Sequence, residues 1–454
     1  MWGINFKDYR QFLTKNERNK VYLRKNTAVG KAIADSKYRT KKKLMAAGVS
    51  VPTLIARFKN QDDLNNFRWE KLEGNFVIKP ESGYGGEGIL IIRKRGKWAG
   101  EWLRMNGEML TTADLQRHCQ DILVGKYSLH NIPDTVLVEE RIKIHPLFLA
   151  LTKSGTPDIR VIVYNRVPVM AMFRIPTEKS GGKANLHQGA MGLGVDLATG
   201  ITTFGIEGGG VPVTRIYDFN KKKKRKVNGI KIPFWREILE TAVKCQIALP
   251  ELGYMGVDVV LDKEKGPEVL EVNARPGLSI QLCNRAGLRA RLEKVDEIEV
   301  RSVDHAITLA KYLFGERFFE KVDEKEKNRL IEAVENIKIK IPKGFKPEFD
   351  KSKILKKGKH RMIEVKTKVD TGALRSSIDH KLAKELGLLT EERILYYRHY
   401  RSALGSAHER PVVWLTFWLK GKKISTAVNV ANREGLSSQF LIGRRDLTGF
   451  LIKN

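Results

Sequence analysis

Residues Gly256 to Gln281 read GVDVVLDKEKGPEVLEVNARPGLSIQ. Valine and leucine alternate with polar residues on both sides of Asp262–Pro267, a stretch rich in glycine, proline and charge, which predicts two strands joined by a tight turn. A turn that sets Leu261 opposite Glu268 also sets Asp258 opposite Glu271. Glu271 and Asn273 are two residues apart, so they share a face of their strand. Two carboxylates and an amide carbonyl converging in this way suit a hard cation, above all Mg²⁺ that also carries nucleotide phosphates. A solvated hairpin with ordinary surface charges is the duller reading of the same residues.

A second stretch sharpens the choice. Residues 76–92 read FVIKPESGYGGEGILII: an apolar strand containing Lys79, then Gly83, Gly85, Gly86 and Gly88, then another apolar strand. A glycine loop between strands lets backbone N–H groups close over phosphates without Cβ interference. Lys79 supplies a point charge for the same phosphates. The pattern is neither a P-loop nor the dinucleotide fingerprint, both of which need a following helix. A phosphate loop followed by a metal hairpin predicts a nucleotide site.

Four segments, in this order, resemble the ATP-grasp superfamily of carboxylate–amine ligases and, within it, the alpha-L-glutamate ligase-related, RimK-like proteins. They are RKNTAVGKAIADSKYRTKKKLMAAGVSVP from Arg24, FVIKPESGYGGEGI from Phe76, PDIRVIVYNRVPVMAMFRIPTEKSGGKANLHQGAMGLGVDLATG from Pro157 and GYMGVDVVLDKEKGPEVLEVNARPGLSIQ from Gly253. The resemblance implies an α+β ATP-grasp fold, two α+β subdomains sandwiching the nucleotide. It implies that Lys37 and Lys79 hold the nucleotide phosphates, with Ser82 and a mobile loop of Gly83, Gly85, Gly86 and Gly88 over them. It implies that Val136–Ile142 is the linker strand beside adenine, with Glu139 or Glu140 near the base or ribose and Ile142 in the same site.

The same resemblance places Asp158 with the nucleotide and turns Arg160 of the Asp-Ile-Arg motif toward phosphate or acceptor. Arg174 and Asn185 would stabilise the transferred γ-phosphate and the acyl-phosphate. Asp258, Glu271 and Asn273 would bind two Mg²⁺ ions, with Mn²⁺ as a substitute, and Arg275 would hold a substrate carboxylate. The implied reaction is ATP-dependent ligation through an acyl-phosphate, adding glutamate or a related amino acid to a peptide or protein. Such transfer needs positioning and charge neutralisation more than a nucleophilic side chain. Two departures stand out: a neutral Ser36 where an acid is expected before Lys37, and KKKKRK at Lys221–Lys226 in place of a less basic connection. The second leaves the acceptor open. Duller roles compete throughout: Arg174 as a surface ion pair, Arg275 as a loop brace, Lys37 as a solvated lysine, His187 as a structural histidine.

Further on the pattern changes. Asp304–Glu335 mixes Leu, Ile and Ala with charge, which predicts a helix, and the Pro, Gly and Lys-rich passage Ile341–Lys359 predicts a linker. MIEVKTKV then alternates as a strand and ends in Asp370-Thr371-Gly372-Ala373, and FLIGRRDL follows at Phe440–Leu447. These elements resemble the retropepsin-like aspartic peptidases, most closely a small family named for ATP-dependent zinc proteases. The resemblance implies an all-β, barrel-like domain with Asp370 as a catalytic acid. Two carboxylates must share one proton in such a site, so one Asp-Thr-Gly per chain implies a homodimer through this domain. The expected division is an ATP-grasp domain over 1–310 with a short N-terminal helical region, a linker over 311–354 and the retropepsin-like domain over 355–454. No His-Glu-x-x-His occurs, so His360, His380, His399 and His408 read as structural or surface residues and no zinc is assigned.

With 454 residues, 42% of them hydrophobic, the chain is long enough for several globular cores. No run of eighteen apolar residues occurs and MWGINFKDYR lacks an apolar core, so neither a membrane span nor a signal peptide is expected. Three scattered cysteines, Cys119, Cys245 and Cys283, suit a reducing cytoplasm. The 83 Lys plus Arg against 52 Asp plus Glu leave a net charge of +31, a field that favours polyanionic partners. Nucleic acid or ribosome, a polyglutamate chain and an anionic membrane surface all fit, as does a proteome that is simply basic. Aromatic interleaving of the kind that stacks bases is not evident. Two other readings of the whole chain stay open: a basic nucleic-acid- or ribosome-binding scaffold with a non-catalytic dimerisation domain, and an ATP-grasp ligase of a non-protein substrate.

Overall fold

A computed structural model describes residues 10–83, 86–153, 155–315, 329–342, 344–345, 354–357, 360–373, 375–401, 407–447 and 450–452. The chain forms two compact units, 1–315 and 316–454.

The first unit opens with three short helices, α1 (Lys15–Lys20), α2 (Ala28–Ala34) and α3 (Lys37–Ala46). Thr14, Thr27 and Ser36 cap them, each side chain accepting a hydrogen bond from a backbone N–H of the first turn. Two sheets follow. Strands β1 (Leu54–Phe58), β2 (Phe76–Pro80), β3 (Leu90–Arg95), β4 (Glu101–Arg104), β5 (Met109–Thr111) and β6 (Val136–Glu140) form the first, in the order β1-β6-β2-β3-β4-β5. Its core of Phe58, Phe76, Ile92 and Trp102 packs with Leu115, Cys119 and Ile122 from the helix Thr112–Leu123.

The second sheet takes β7 (Asp158–Tyr164), β8 (Val167–Ile175), β9 (Met191–Val195), β10 (Thr202–Glu207) and β11 (Val211–Val213), a separate hairpin β12 (Arg215–Asp218) and β13 (Lys223–Lys226) intervening in sequence. With β14 (Tyr254–Asp262) and β15 (Gly266–Asn273) its order is β11-β10-β9-β8-β7-β14-β15. Strands β7, β8 and β14 are buried at every position, so their apolar runs read as strands covered on both faces. Buried Asn26 ties the N-terminal segment to this sheet. Its Nδ2 donates to the carbonyls of Tyr254 (2.7 Å) and Ala274 (2.9 Å), and its Oδ1 accepts from the Tyr254 N–H at 2.9 Å.

The hairpin β14–β15 carries Asp258 opposite Glu271, as its sequence predicts, but not by the expected register. Leu261 faces Pro267 and Val260 faces Glu268, and a bulge between Val259 and Asp258 absorbs Leu270. The turn Lys263–Lys265 closes on Gly266 with φ +79°, a left-handed residue that completes a three-residue hairpin loop. The turn is one residue tighter than expected, and the bulge restores the facing of the two acids.

The second unit is a closed β-barrel. Its strands are β16 (Arg329–Ile331), β17 (Val334–Lys340), β18 (Ile354–Lys357), β19 (His360–Asp370), β20 (Ser377–Asp379), β21 (Ile394–Arg401), β22 (Ala407–Leu419), β23 (Lys422–Ala431), β24 (Phe440–Gly443) and β25 (Phe450–Ile452). The ring runs β17-β19-β24-β20-β23-β22 and closes because β17 also pairs with β22. Ile337, Ile339, Val413, Phe417, Val428 and Phe440 fill it. Two expectations are corrected here. The helix expected over Asp304–Glu335 covers Val303–Phe314, whereas Arg329–Ile331 and Val334–Lys340 are strands. The passage expected to link the domains supplies β17, which is part of the ring, and β18, which pairs with β19. Alternation of buried Ile337, Ile339 and Ile341 with exposed Asn336 and Lys338 outweighs the helical preference of the preceding Leu, Ile and Glu. Among the described residues no helix is long and apolar enough to cross a membrane.

Candidate active site

Buried charges on β7, β8 and β14 pair with one another across the strands. Asp158 faces Arg174 and Arg160 faces Asp258 in the strand register, and all four are at most 8% exposed. Arg174 grips Asp158 through Nε (2.5 Å) and Nη2 (2.6 Å) and extends Nη2 to Asp258 Oδ2 at 2.7 Å. Arg160 holds Asp258 bidentately, with Nη2 to Oδ2 at 2.6 Å. Burial opposes the Asp258 charge, but Arg160 and Arg174 outweigh it and hold the carboxyl below the usual range. Among the described residues Asp158 has Arg174 alone as a close partner, and burial and the neighbouring Asp258 push its carboxyl up. The row continues onto β15: Asn273 Nδ2 donates to Glu271 Oε1 (3.0 Å) and Asp258 Oδ2 (3.3 Å).

A lysine cluster approaches from the first sheet. Lys79 on β2 binds Glu139 Oε2 at 2.8 Å, and Lys41 on α3 binds Glu139 Oε1 at 2.9 Å. All three are buried. Lys37, one helical turn before Lys41, donates to the carbonyls of Glu81 (3.1 Å) and Gly83 (3.2 Å). Burial holds the Lys37 ammonium below the usual lysine range, Glu271 attracts it and Lys79 repels it. Lys37, Lys41 and Lys79 thus gather about Glu139 and the backbone carbonyls that follow β2.

Other expected residues make contacts within the chain. The Ser82 N–H is capped by Asp134 at 3.0 and 3.1 Å. Gly83 lies against the Pro80 ring, where a Cβ would collide, and Gly88, with φ +70°, would place a Cβ 2.7 Å from Tyr127 Cδ2. Gly86, also at positive φ, lies beside Lys183, and Gly85 falls outside the described residues. Glu139 faces the two lysines, while Glu140 pairs with Lys265 at 2.6 Å. Ile142 is half-buried. Asn185 accepts the His187 N–H at 3.0 Å and caps the turn Leu186–Gln188, and His187 itself is exposed. Arg275 reaches Asp35 at 2.8 Å.

Sequence reasoning passed over two residues. Lys41 shares a helix face with Lys37 by its i,i+4 spacing, a signal masked by the run of neighbouring lysines. Glu81, buried, binds Arg57 through Nε and Nη2 (3.0 and 2.8 Å) and accepts from Ser36 Oγ. The acid absent before Lys37 is thus matched by a carboxylate contributed from after β2.

Among the described residues no three His, Cys, Asp or Glu side chains converge as a metal cluster. The donor set Asp258, Glu271 and Asn273 nevertheless has the oxygen chemistry of a hard-cation site. Half-buried Glu271 accepts only from Asn273 among the described residues, which leaves a carboxylate oxygen for a cation. Asp258 is fully occupied by its arginines and by Asn273, so a bound ion would share or displace one of those contacts.

Residues 17–297, the stretch that contains both sheets and this charged row, match the family model for sugar-transfer associated ATP-grasp proteins. The chain belongs to the sugar-transfer associated ATP-grasp family. Solved structures similar to it include D-alanine–D-alanine ligase from Bacillus anthracis complexed with ATP, 17% identical, with a TM-score of 0.33 over 60% of this chain and 68% of that one. The L-amino acid ligase from Bacillus licheniformis is 14% identical, with a TM-score of 0.35 over 60% of this chain and 53% of that one. A Legionella pneumophila protein of unknown function is 16% identical, with a TM-score of 0.16 over 28% of this chain and 94% of that one. No curated protein matches the chain.

Proposed function

We propose that this ATP-grasp protein is a RimK-like, ATP-dependent carboxylate–amine ligase that adds glutamate or a related amino acid to a peptide or protein. The observation that carries this reading is the buried cross-strand row of Asp158, Arg174, Asp258 and Arg160, which Asn273 joins to Glu271, in the same unit as the Lys41–Glu139–Lys79 cluster. Lys37, Lys41, Lys79, Arg160 and Arg174 against Asp158, Asp258, Glu139 and Glu271 leave one net positive charge. A triphosphate carries several more negative charges than that, so divalent cations are required to complete the balance. Two Mg²⁺ ions held by Asp258, Glu271 and Asn273 would neutralise phosphate oxygens and draw charge from the γ-phosphoryl group.

The chain's own residues supply the remainder. Lys37 and Lys79 bind phosphate oxygens, and Arg174 and Arg160 take up charge developing on the γ-phosphoryl group. A substrate carboxylate oxygen attacks the γ-phosphorus and ADP leaves. The acceptor amine then attacks the acyl carbon, loses a proton and expels phosphate, which leaves an amide. Free, buried Cys119, Cys245 and Cys283 take no part, and a reducing cytoplasm is the compartment proposed.

For the barrel we propose a retropepsin-like unit that acts as a homodimer. Asp370 ends β19 in parallel register with Gly443, and its Oδ1 accepts the N–H groups of Gly372 (2.9 Å) and Ala373 (3.1 Å). This orientation presents the carboxylate at the tip of its strand, where a second copy could face it. Persistence of peptide cleavage in Asp370→Asn would remove the barrel from this reading.

The ligase is tested by ADP release from purified protein supplied with ATP, Mg²⁺, glutamate and acceptor peptides. Glu271→Gln should lower turnover about 100-fold or more, because the substitution removes a metal-binding charge. Full turnover in that variant would overturn the metal assignment.

A further inference from the structure

The connection Val211–Val227 departs from the rest of the unit in charge, and its fold gives that charge a shape. Strands β12 and β13 pair as a two-stranded ribbon with Arg215 opposite Lys226, Ile216 opposite Arg225, Tyr217 opposite Lys224 and Asp218 opposite Lys223. One face is anchored. Ile216 and Asp218 are buried, Asp218 lies 3.6 Å from Arg225 and accepts the Lys221 N–H at 3.0 Å, and the Phe219 N–H donates to the Ala150 carbonyl at 2.8 Å. The other face presents Arg215, Tyr217, Lys224 and Lys226, all exposed, and the tip adds exposed Lys221 and Lys222. Among the described residues none of these five lysines and arginines has a carboxylate partner, whereas Arg225 faces Asp218 on the anchored side.

Like charges placed directly across a ribbon destabilise it, and Lys222 adds the strain of a positive φ, 49°. Both costs are borne on a face that buries nothing of its own. The face also carries an aromatic ring. Tyr217 is 40% exposed and packs edge-on against Phe219 with ring centroids 4.9 Å apart, which holds it upright between Arg215 and Lys224. This is the interleaving of ring and cation that the linear sequence hides, because Tyr217 and Lys224 become neighbours only through pairing.

We propose that the β12–β13 ribbon binds single-stranded nucleic acid, its cations on successive phosphates and Tyr217 stacked on a base. Residues on one face of a strand recur every ~6.6 Å, a spacing close to the phosphate step of an extended single strand. A ring between cations offers stacking that an acidic peptide would not use. A membrane surface would call for bulky apolar residues at the tip, where Asn220, Lys221 and Lys222 stand instead. The proposal is independent of the ligase reading, and the ribbon contains none of the residues assigned to it.

The test is fluorescence anisotropy of the full chain with a labelled, mixed-sequence RNA strand of about 12 nucleotides, titrated from about 50 to about 200 mM salt. Lys222→Glu, Lys224→Glu and Lys226→Glu together should weaken binding more than tenfold and lower the salt slope by about 2. The matched reversal Lys59→Glu, Lys71→Glu and Lys94→Glu should change it less than twofold. Tyr217→Ala should weaken binding about 5- to 100-fold with the salt slope unchanged, and alanine at the three ribbon lysines gives a milder variant should the reversal unfold the chain. RNA binding that survives the ribbon variants, or falls equally with the matched reversal, overturns the proposal. So does equal binding of polyglutamate or of vesicles rich in phosphatidylserine with no effect of Tyr217→Ala, which would assign the ribbon to an acidic chain or a membrane.

Discussion

Glu139 shows how a buried carboxylate offsets neighbouring ammonium groups at the proposed nucleotide site. It sits 2% exposed between Lys41 and Lys79, so it offsets part of the positive charge that the two lysines carry. Burial pushes the Lys41 ammonium down to about 8, against the attraction of Glu139. From there to its ordinary value of 10.5 the unfolded chain binds a proton that the folded chain does not. Stability should therefore rise with pH across that window. Relative to Lys41→Met, whose Tm should lack this component, the gain is about 3 kcal/mol by pH 10.5, read from denaturant unfolding at several pH values. A wild type and variant that run parallel would show that Lys41 keeps an ordinary affinity for protons. Lys79 could be picked out in the sequence because a strand and a glycine loop frame it. Lys41 could not, since nothing local distinguishes it from Lys42 and Lys43.

The hairpin β14–β15 and the glycine loop differ in how they were legible. Asp258 and Glu271 face each other in both sequence and structure, yet through a bulge at Leu270 that no alternation of valines foretells. The residues flanking the turn specify its position but not whether three or four residues close it, and one residue is enough to turn a strand over. In the glycine loop, Gly88 is the position where conformation and space both exclude a side chain. Its carbonyl also accepts from His118 Nε2 or pairs with it at 3.0 Å, which fixes the end of the loop on the helix Thr112–Leu123. Gly88→Ala should cost about 1–2 kcal/mol and raise the KM for ATP. Adding Tyr127→Ala should recover the steric part and leave the cost of the left-handed backbone. Equal stability of Gly88→Ala and the parent in thermal melts would mean that the loop readily adopts another path.

The two units have separate cores, so calorimetry of the chain should resolve two transitions. The proposed nucleotide site lies wholly within 1–315. ATP with Mg²⁺ at about 100 times its Kd should add about 2.7 kcal/mol to that unit and leave the barrel transition where it was. EDTA should abolish the shift, because the donor set leaves the triphosphate charge unbalanced without divalent cations. A shift of both transitions, or one insensitive to EDTA, would contradict the placement of the metal and nucleotide in the first unit. The net charge of +31 was visible in composition, but its concentration on a paired ribbon was not.

Alternating valines, glycine spacing and turn residues act over a few positions, so the α+β organisation, the metal-type hairpin and the barrel strands near Asp370 could be read along the chain. Pairings between separate segments could not: Lys41 with Glu139, Arg174 with Asp258, and Arg275 with Asp35 arise where strands and helices far apart in the chain come together. Local pattern reflects backbone geometry and side-chain periodicity, whereas the charge state and partner of each buried group depend on which distant side chain reaches it first in a medium that tolerates no unpaired ion.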